Sequence, residues 1–429
     1  NNKYYHRKNK MNSFNTVKGT HDILPEKSDK WQNLEKVIHR NTSLFGYKEI
    51  RTPIIEKTDL FIRGIGESTD VVSKEMYSWI DKDETAISLR PEMTAAIVRS
   101  YIQHSLGYQS PLQRLYYIGP CFRRERPQKG RQRQFHQFGV EAIGSNNPEQ
   151  DAEIISLGWE ILLKAGIKDL ELKLSSVGSS KCRSKYIDEL VSYLKPYKSK
   201  LSEISRQRLI NNPLRILDTK NKDEIEIISS APTIDMFYTD DDRKHFNYVQ
   251  DYLKSMNIPF SLDPLLVRGL DYYSHTTFEI ISNNIGAQNA LLGGGRYNKL
   301  IKSLGGKDTP AIGFAAGMER VLLAISDSKK IEKTKHIIHI VCIEPNALGS
   351  LQKLAKELRT LGLNVVLETM RRSMKAQMRE ANKCNADYVI IVGEEEYNQN
   401  TAQVKRLNDG IQKTIDQNKI FNHFKSLPY

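Results

Sequence analysis

RLYYIGPCFRRERPQKGRQRQFHQFGVEAIG, residues 114–144, holds two strand-length runs joined by a loop containing Pro127 and Gly130. That pattern predicts a long β-hairpin. From Arg123 to Arg133 six residues are Arg or Lys, and one, Glu125, is acidic. Side chains on a strand return to the same face every second residue. Gln137, Gly139 and Glu141 therefore share one face, and His136, Phe138 and Val140 the other. On the preceding strand Gly119, Cys121 and Arg123 line one face. A polar face with glycine in its middle makes a poor core, but a good floor for a small polar ligand. The competing reading, a solvated hairpin with incidental charges, suits the loop tip better than the paired faces.

Outward from the hairpin, 429 residues suggest roughly two to four domains. The chain is 39% hydrophobic, enough for sizeable cores, with mean hydropathy −0.52. No apolar run approaches the ~20 residues of a membrane helix. Residues 1–10 are polar and basic without a following apolar segment, so a secretory signal is not expected. A transit-peptide remnant is one reading of them; the simpler one starts the protein at Met11. A cytoplasmic protein with no membrane association is expected. Cys121, Cys182, Cys342 and Cys384 are scattered with no CxxC pair, arguing against a disulfide framework or a structural zinc site. A net charge of +13 (pI about 9.3) is compatible with a polyanionic partner but does not establish one.

Apolar residues from Trp31 to Phe45 recur at helical spacing, with Gly46 where a helix would stop. Residues 47–55 read as extended, and EIRTPIIEKTDLF, residues 49–61, has Pro53 in its middle, as at a sheet edge or interface. Residues 151–163 read as an amphipathic helix. Residues 170–255, charged and poor in glycine, read as a helical insertion whose charges are mostly solvated faces. SDSKKIEKTK, residues 326–335, reads as a linker. Beyond it, apolar strands alternate with helices, implying a small α/β domain.

The hairpin resembles motif 2 of the class II aminoacyl-tRNA synthetases, and RRERPQKGRQRQFHQFGVE is very similar to the form in histidyl-tRNA synthetases. Residues 49–61 resemble motif 1, a dimer-interface element. AIGFAAGMERVLL, residues 311–323, resembles motif 3; LVRGLDYYSHTTFEI, residues 266–280, the histidine-specific element; and SLRPEMTAA, residues 88–96, the amino-acid-binding loop. The resemblance runs from about residue 17 onward with its motifs in the family's order. It implies a class II α+β catalytic domain with an antiparallel six-stranded sheet over residues 17–325, carrying the helical insertion. A C-terminal α/β anticodon-binding domain would cover 336–429, and residues 1–16 would be a disordered basic tail.

The implied activity is ATP-dependent activation of histidine and its transfer to histidine tRNA by a homodimer, with Mg2+ accompanying ATP and no protein metal site. The attacking carboxylate is already ionised, so charge stabilisation and alignment carry the chemistry, which suits fixed guanidinium groups. By resemblance, Arg123 holds the α-phosphate, with Glu125 and Arg126 beside the nucleotide. Arg320 follows the small residues Gly313, Ala315, Ala316 and Gly317 into a helix start, where ATP can approach. Arg268 bridges the histidine carboxylate and the α-phosphate, making Arg268, Arg123 and Arg320 the catalytic set. Glu141 and Tyr273 face the imidazole, Tyr272 lines the pocket, and Glu92, Thr94 and Gln137 hold the amino and carboxylate ends. Met93, counted by resemblance with the histidine-binding residues, stands where the family usually has glycine, and its larger side chain is expected to alter the loop. LLGGGRYNKL, residues 291–300, lacks the spacing of a nucleotide loop; the resemblance places Gly293, Gly295 and Arg296 near ATP or histidine. Arg126, Gln128 and Arg133 match positions that read the tRNA acceptor end, and Arg371, Arg372, Lys375 and Arg379 could follow phosphates. Two rivals are a synthetase-like regulatory subunit of ATP phosphoribosyltransferase and a non-catalytic RNA-binding module. The former typically loses the catalytic arginines and the C-terminal domain, and the latter predicts an eroded histidine pocket; this chain keeps all three arginines, that domain and the pocket residues.

Overall fold

Alternation along the strands builds the larger part of the molecule. The computed structural model describes residues 14–426 apart from 68, 129, 284–288 and 326–335. The expected linker, and the expected tail as far as residue 13, lie outside the described residues. The chain divides into two units, Asn1–Lys329 and Lys330–Tyr429.

In the first unit the strands are β1 (Lys48–Glu49), β2 (Ile55–Lys57), β3 (Tyr77–Ile80), β4 (Ala86–Leu89), β5 (Gln113–Phe122), β6 (Gln134–Ile143), β7 (Leu170–Ser176), β8 (Phe260–Leu262), β9 (Ser274–Ser282), β10 (Ala290–Arg296) and β11 (Ala311–Gly317). Eight form one sheet in the order β1-β5-β6-β11-β10-β9-β7-β8, and β2-β4-β3 form a second. The inner six strands, β5 to β7, are antiparallel throughout, as expected. The sheet is nevertheless eight-stranded and mixed, because β1 and β8 add parallel to its two edges. Strands of two and three residues are too short to show a period in sequence.

Residues opposite one another across antiparallel strands share a face, so the register sorts the sheet into two surfaces. Tyr116, Val140, Phe314 and Phe278 form one cross-strand row. That row belongs to the main apolar core, with residues of helices Pro25–Leu44, Pro148–Lys164 and Asp240–Ser255. Pro25 opens the first of these, at a position where its missing N–H has no intrahelical partner to lose. On the other surface, Leu115, Glu141, Gly313, Gly295 and Thr277 are one row, and Tyr117, Gly139, Ala315, Gly293 and Glu279 the next. Small residues fill the middle of both rows, beside Glu141, Thr277 and Glu279, and this surface floors the candidate site.

The insertion is shorter than residues 170–255. Strand β7 belongs to the main sheet, and Phe246, Val249 and Leu253 of helix Asp240–Ser255 belong to the main core. The insertion's own core, with Cys182, Tyr186, Leu190, Leu214 and Ile216, lies between them in sequence. Charge density alone does not separate a peripheral helix from one whose apolar stripe packs on the main core.

The second unit holds a five-stranded sheet, β13-β12-β14-β15-β16, built from β12 (Ile337–Cys342), β13 (Asn364–Leu367), β14 (Tyr388–Val392), β15 (Thr401–Arg406) and β16 (Gln412–Asp416). β12, β13 and β14 run parallel, and β15 and β16 continue antiparallel. One face packs residues of helices Leu348–Thr360 and Gln417–Lys425; the other packs Ala381 and Met378 of helix Met374–Lys383. Among the described residues no helix is long and apolar enough to cross a membrane.

Candidate active site

A cavity of about 250 Å³ opens on the polar surface of the main sheet. Its lining includes Arg123, Arg268, Arg320 and Glu141, brought together from the hairpin, the loop before β9 and the first turn after β11. Glu92, Thr94, Gln137, Glu125, Tyr272 and Tyr273 line it as well. Thus ten of the residues expected to serve ligands face one space.

Glu141 lies at the cavity's buried end, 1% exposed. Thr94 Oγ1 donates to its Oε1 at 2.8 Å, Tyr117 Oη to the same oxygen at 3.3 Å, and Tyr297 Oη to Oε2 at 2.6 Å. Burial pushes this carboxyl up to about 8, although the Tyr297 and Thr94 hydroxyls favour its charged form. Opposite Glu141 stands Gly313, where a Cβ would fall 1.8 Å from Oε2. The room over Gly139, expected to admit a ligand, is filled by the Tyr117 ring: a Cβ there would lie 2.4 Å from the tyrosine oxygen.

Glu92 caps a helix. Its carboxylate accepts from the amides of Thr94 at 2.7 Å and Ala95 at 2.8 Å, the first turn of helix Thr94–Gln103. Burial raises its pKa, and these two amides draw it back. Met93 does not line the cavity. Its side chain, 1% exposed, packs with Ile97, Leu115, Tyr117 and Cys121. Its backbone, at φ −111°, also places no demand for glycine.

Arg268 lies over Gly293, where a Cβ would come within 2.0 Å of its guanidinium. One amino group binds Glu279, while Nε is buried with no hydrogen-bond partner among the described residues. Burial, the largest influence, lowers its pKa, but Glu279 together with Tyr273 and Tyr272 outweighs it, and the net shift is upward. Arg123 donates from Nε to Pro91 O at 2.9 Å and lies 5.2 Å from the Phe135 ring centroid. Arg320 donates to Gly130 O and Ala290 O, both at 3.2 Å. Its pKa is lowered by burial and then by Arg131. Cations gathered this closely disfavour one another, and an anion between them relieves that repulsion.

Several neighbours escaped the sequence reading. Glu279 is an acid flanked in β9 by Phe278, Ile280 and Ile281, a legible signal. Tyr297, which follows the glycine run and Arg296, has no such mark. Glu319 accepts from the His136 amide at 2.9 Å, joining β6 to the Arg320 turn. Arg296 was expected near the ligands, yet it is fully buried and pairs with Asp151. It also donates to Ser145 O and Asn147 O, each at 2.8 Å. Arg126 and Gln128 are exposed on the hairpin loop and do not line the cavity. Arg133 packs on Gly19, whose carbonyl accepts from its amide at 2.7 Å. Among the described residues no group of three or more His, Cys, Asp or Glu is arranged to hold a metal ion.

Against known proteins, the family model described as histidyl-tRNA synthetase matches residues 19–321, and one described as an anticodon binding domain matches residues 338–427. The histidine–tRNA ligase of Chloroherpeton thalassium is 47% identical over 418 residues, covering 96% of this chain and 98% of that one.

The chain belongs to the histidyl-tRNA synthetase family.

The crystal structure of apo S. aureus histidyl-tRNA synthetase superposes with a TM-score of 0.81 at 36% identity, covering 96% of this chain and 100% of that chain. A structure described as an ATP phosphoribosyltransferase regulatory subunit/histidyl-tRNA synthetase from Bacillus halodurans C reaches 0.66 at 23% identity, covering 88% and 98%; that likeness shows the fold alone. Within this family setting the glycine beneath Arg268 can be tested. Gly293→Ala is expected to displace the guanidinium, since the colliding atoms are the free end of a long side chain. Histidine-dependent ATP–pyrophosphate exchange should fall about 100-fold, the scale of a 1 Å misplacement, with the unfolding midpoint little changed. Wild-type exchange would show that the arginine's position over Gly293 is immaterial.

Proposed function

We propose that this chain activates L-histidine with ATP and transfers it to the 3′ end of histidine tRNA, through the cavity described above. The observation that carries this reading is the convergence of Arg123, Arg268 and Arg320 with Glu141 on one enclosed space. In the first step a histidine carboxylate oxygen bonds to the α-phosphorus and the bond to the leaving diphosphate breaks. No proton needs to be removed, so the protein's part is to align two anions and stabilise the charge developing between them. Arg268, with Nε unpaired, lies between the two reactants, Arg123 holds the α-phosphate, and Arg320, with Glu125, faces the nucleotide. Magnesium enters with ATP as part of the substrate. In the second step the terminal tRNA hydroxyl attacks the acyl carbon and AMP leaves.

Glu141 and Tyr273 recognise the imidazole, with Tyr272 beside them. A pocket of hydrogen-bonding groups rejects ligands that leave them unpaired. Thr94 acts here through Glu141, to which its hydroxyl is bonded, and Glu92 through the helix start it caps. Gln137, whose Oε1 accepts from the Cys121 thiol at 3.4 Å, lines the cavity and meets the amino and carboxylate end. The arginines and the pocket together favour synthesis over a regulatory role.

The reading includes a homodimer acting in the cytoplasm. Ile54, Ile55, Trp79 and Ile80, on and beside the small sheet, are all at least 40% exposed and support a subunit contact there. In the second unit Arg371, Lys375 and Arg379 are exposed and suited to tRNA phosphates, whereas Arg372 is paired with Glu368 and Glu380. Exchange of labelled diphosphate into ATP that depends on histidine tests the first step, and its absence would refute the reading. Gln128 and Arg126 extend from the loop toward the acceptor end. Gln128→Ala should slow tRNA charging on the order of tenfold, the scale of one or two hydrogen bonds, while leaving exchange intact. Equal losses in both assays would remove the acceptor role.

A further inference from the structure

Among the described residues no side chain of the helical insertion lines the cavity, yet the insertion holds the loop that carries Arg268, Tyr272 and Tyr273. Leu265 and Val267, just before Arg268, pack against the insertion's core. Three insertion side chains then grip the loop. Arg215, in the turn Pro213–Ile216, donates to Arg268 O at 3.2 Å. Arg183, in helix Ser180–Leu194, donates to Asp271 O at 3.2 Å and Tyr273 O at 3.3 Å. Asn212 donates to Asp271 Oδ1 at 2.6 Å. Across the cavity mouth, Asp70 lies 3.8 Å from Arg208 and 4.0 Å from Arg215. Asp70 directly precedes Val71, which lines the cavity, so the insertion reaches both edges of the mouth.

We infer that the helical insertion is a positioning element of histidine activation, with Arg183 setting the place of Tyr272 and Tyr273, and Arg215 that of Arg268. The inference rests on the reading of the cavity as the histidine-activating site. A carbonyl bond made by a guanidinium fixes backbone, and the side chains on that backbone inherit its position. The carbonyls of Arg268, Asp271 and Tyr273 accept from insertion side chains and lie outside the strand pairings, so among the described residues no sheet register replaces these bonds. The division of labour also follows: Arg183 acts on residues that meet the imidazole, and Arg215 on the group bridging the reacting atoms.

The test uses the full-length chain with Arg183→Met and Arg215→Met, which keep much of the side-chain bulk and lose the donors, and Arg183→Lys, which keeps one cationic donor. Exchange kinetics are measured separately against histidine and ATP, alongside thermal unfolding. Arg183→Met should raise the KM for histidine about tenfold, as expected for losing one or two bonds to carbonyls, with the KM for ATP within about twofold. Arg183→Lys should recover much of that loss, whereas Arg215→Met should lower kcat about tenfold, the displacement being at the reacting centre. If the methionine variants do not fold, Arg183→Lys and Arg215→Lys carry the same comparison at smaller amplitude. An active parent whose variants match it, or lose histidine and ATP parameters together in step with the unfolding midpoint, overturns this inference alone. A parent without histidine-dependent exchange overturns the reading beneath it as well.

Discussion

Arg268→Ala is expected to lower kcat/KM for histidine-dependent ATP–pyrophosphate exchange by about 10³-fold or more, the range seen when a transition-state cation or a preorganised donor is removed. Among the described residues Arg268 is the one cavity arginine whose guanidinium combines a carboxylate partner, Glu279, with a buried Nε that has no hydrogen-bond partner. Glu279 holds the charge in place, and the remaining edge is available to an anion. Arg268→Lys should recover only a small part of the loss, because an ammonium is a point charge and cannot span two anions in one plane. Removing the arginine also leaves Glu279 without its partner, which costs stability in its own right. The unfolding midpoint of Arg268→Ala and of Glu279→Gln separates the two effects: a stability loss common to both, with exchange retained in Arg268→Ala, would take the arginine out of the chemistry.

Much of this was legible because strand alternation is a property of the chain itself. Gln137 and Glu141, four residues apart on one strand, had to share a face, and Gly313, opposite Glu141, and Gly293, beneath Arg268, are small where the cavity needs room. The edge strands β1 and β8 left no such mark, since pairing of two or three residues depends on what lies beside them. Arg296 shows the limit more sharply. It follows a glycine run as a ligand-binding arginine would, but Asp151, 145 residues earlier, takes its charge in the core. Only tertiary structure brings those two together. Met93 looked disruptive because the side chain is large, whereas its direction, into the apolar cluster with Tyr117, decides the matter. The boundaries of the insertion were misplaced for a related reason: helix Asp240–Ser255 is as charged as its neighbours, and only its buried stripe assigns it to the main core.

Glu141→Gln should raise the KM for histidine on the order of 100-fold, the scale of a hydrogen bond to a charged group made in a buried site. The amide keeps the volume and one acceptor oxygen, but its NH2 now meets a hydroxyl that formerly donated to the carboxylate. The same substitution has a signature in stability. The carboxyl is raised from an ordinary 4.5 to about 8 in the folded chain. Between those values the folded state keeps a proton that the unfolded state has lost, so stability falls as pH rises through that window. The contribution is therefore fully present below the unfolded value and gone above about 8. Glutamine does not titrate. From about pH 5 to about pH 8 the unfolding midpoint of the parent should decline relative to Glu141→Gln, and above that the two should run parallel. Parallel profiles throughout would mean that Glu141 is already ionised at neutral pH, its hydroxyl donors having outweighed burial. The imidazole would then meet a full negative charge rather than a carboxyl that shares a proton with it.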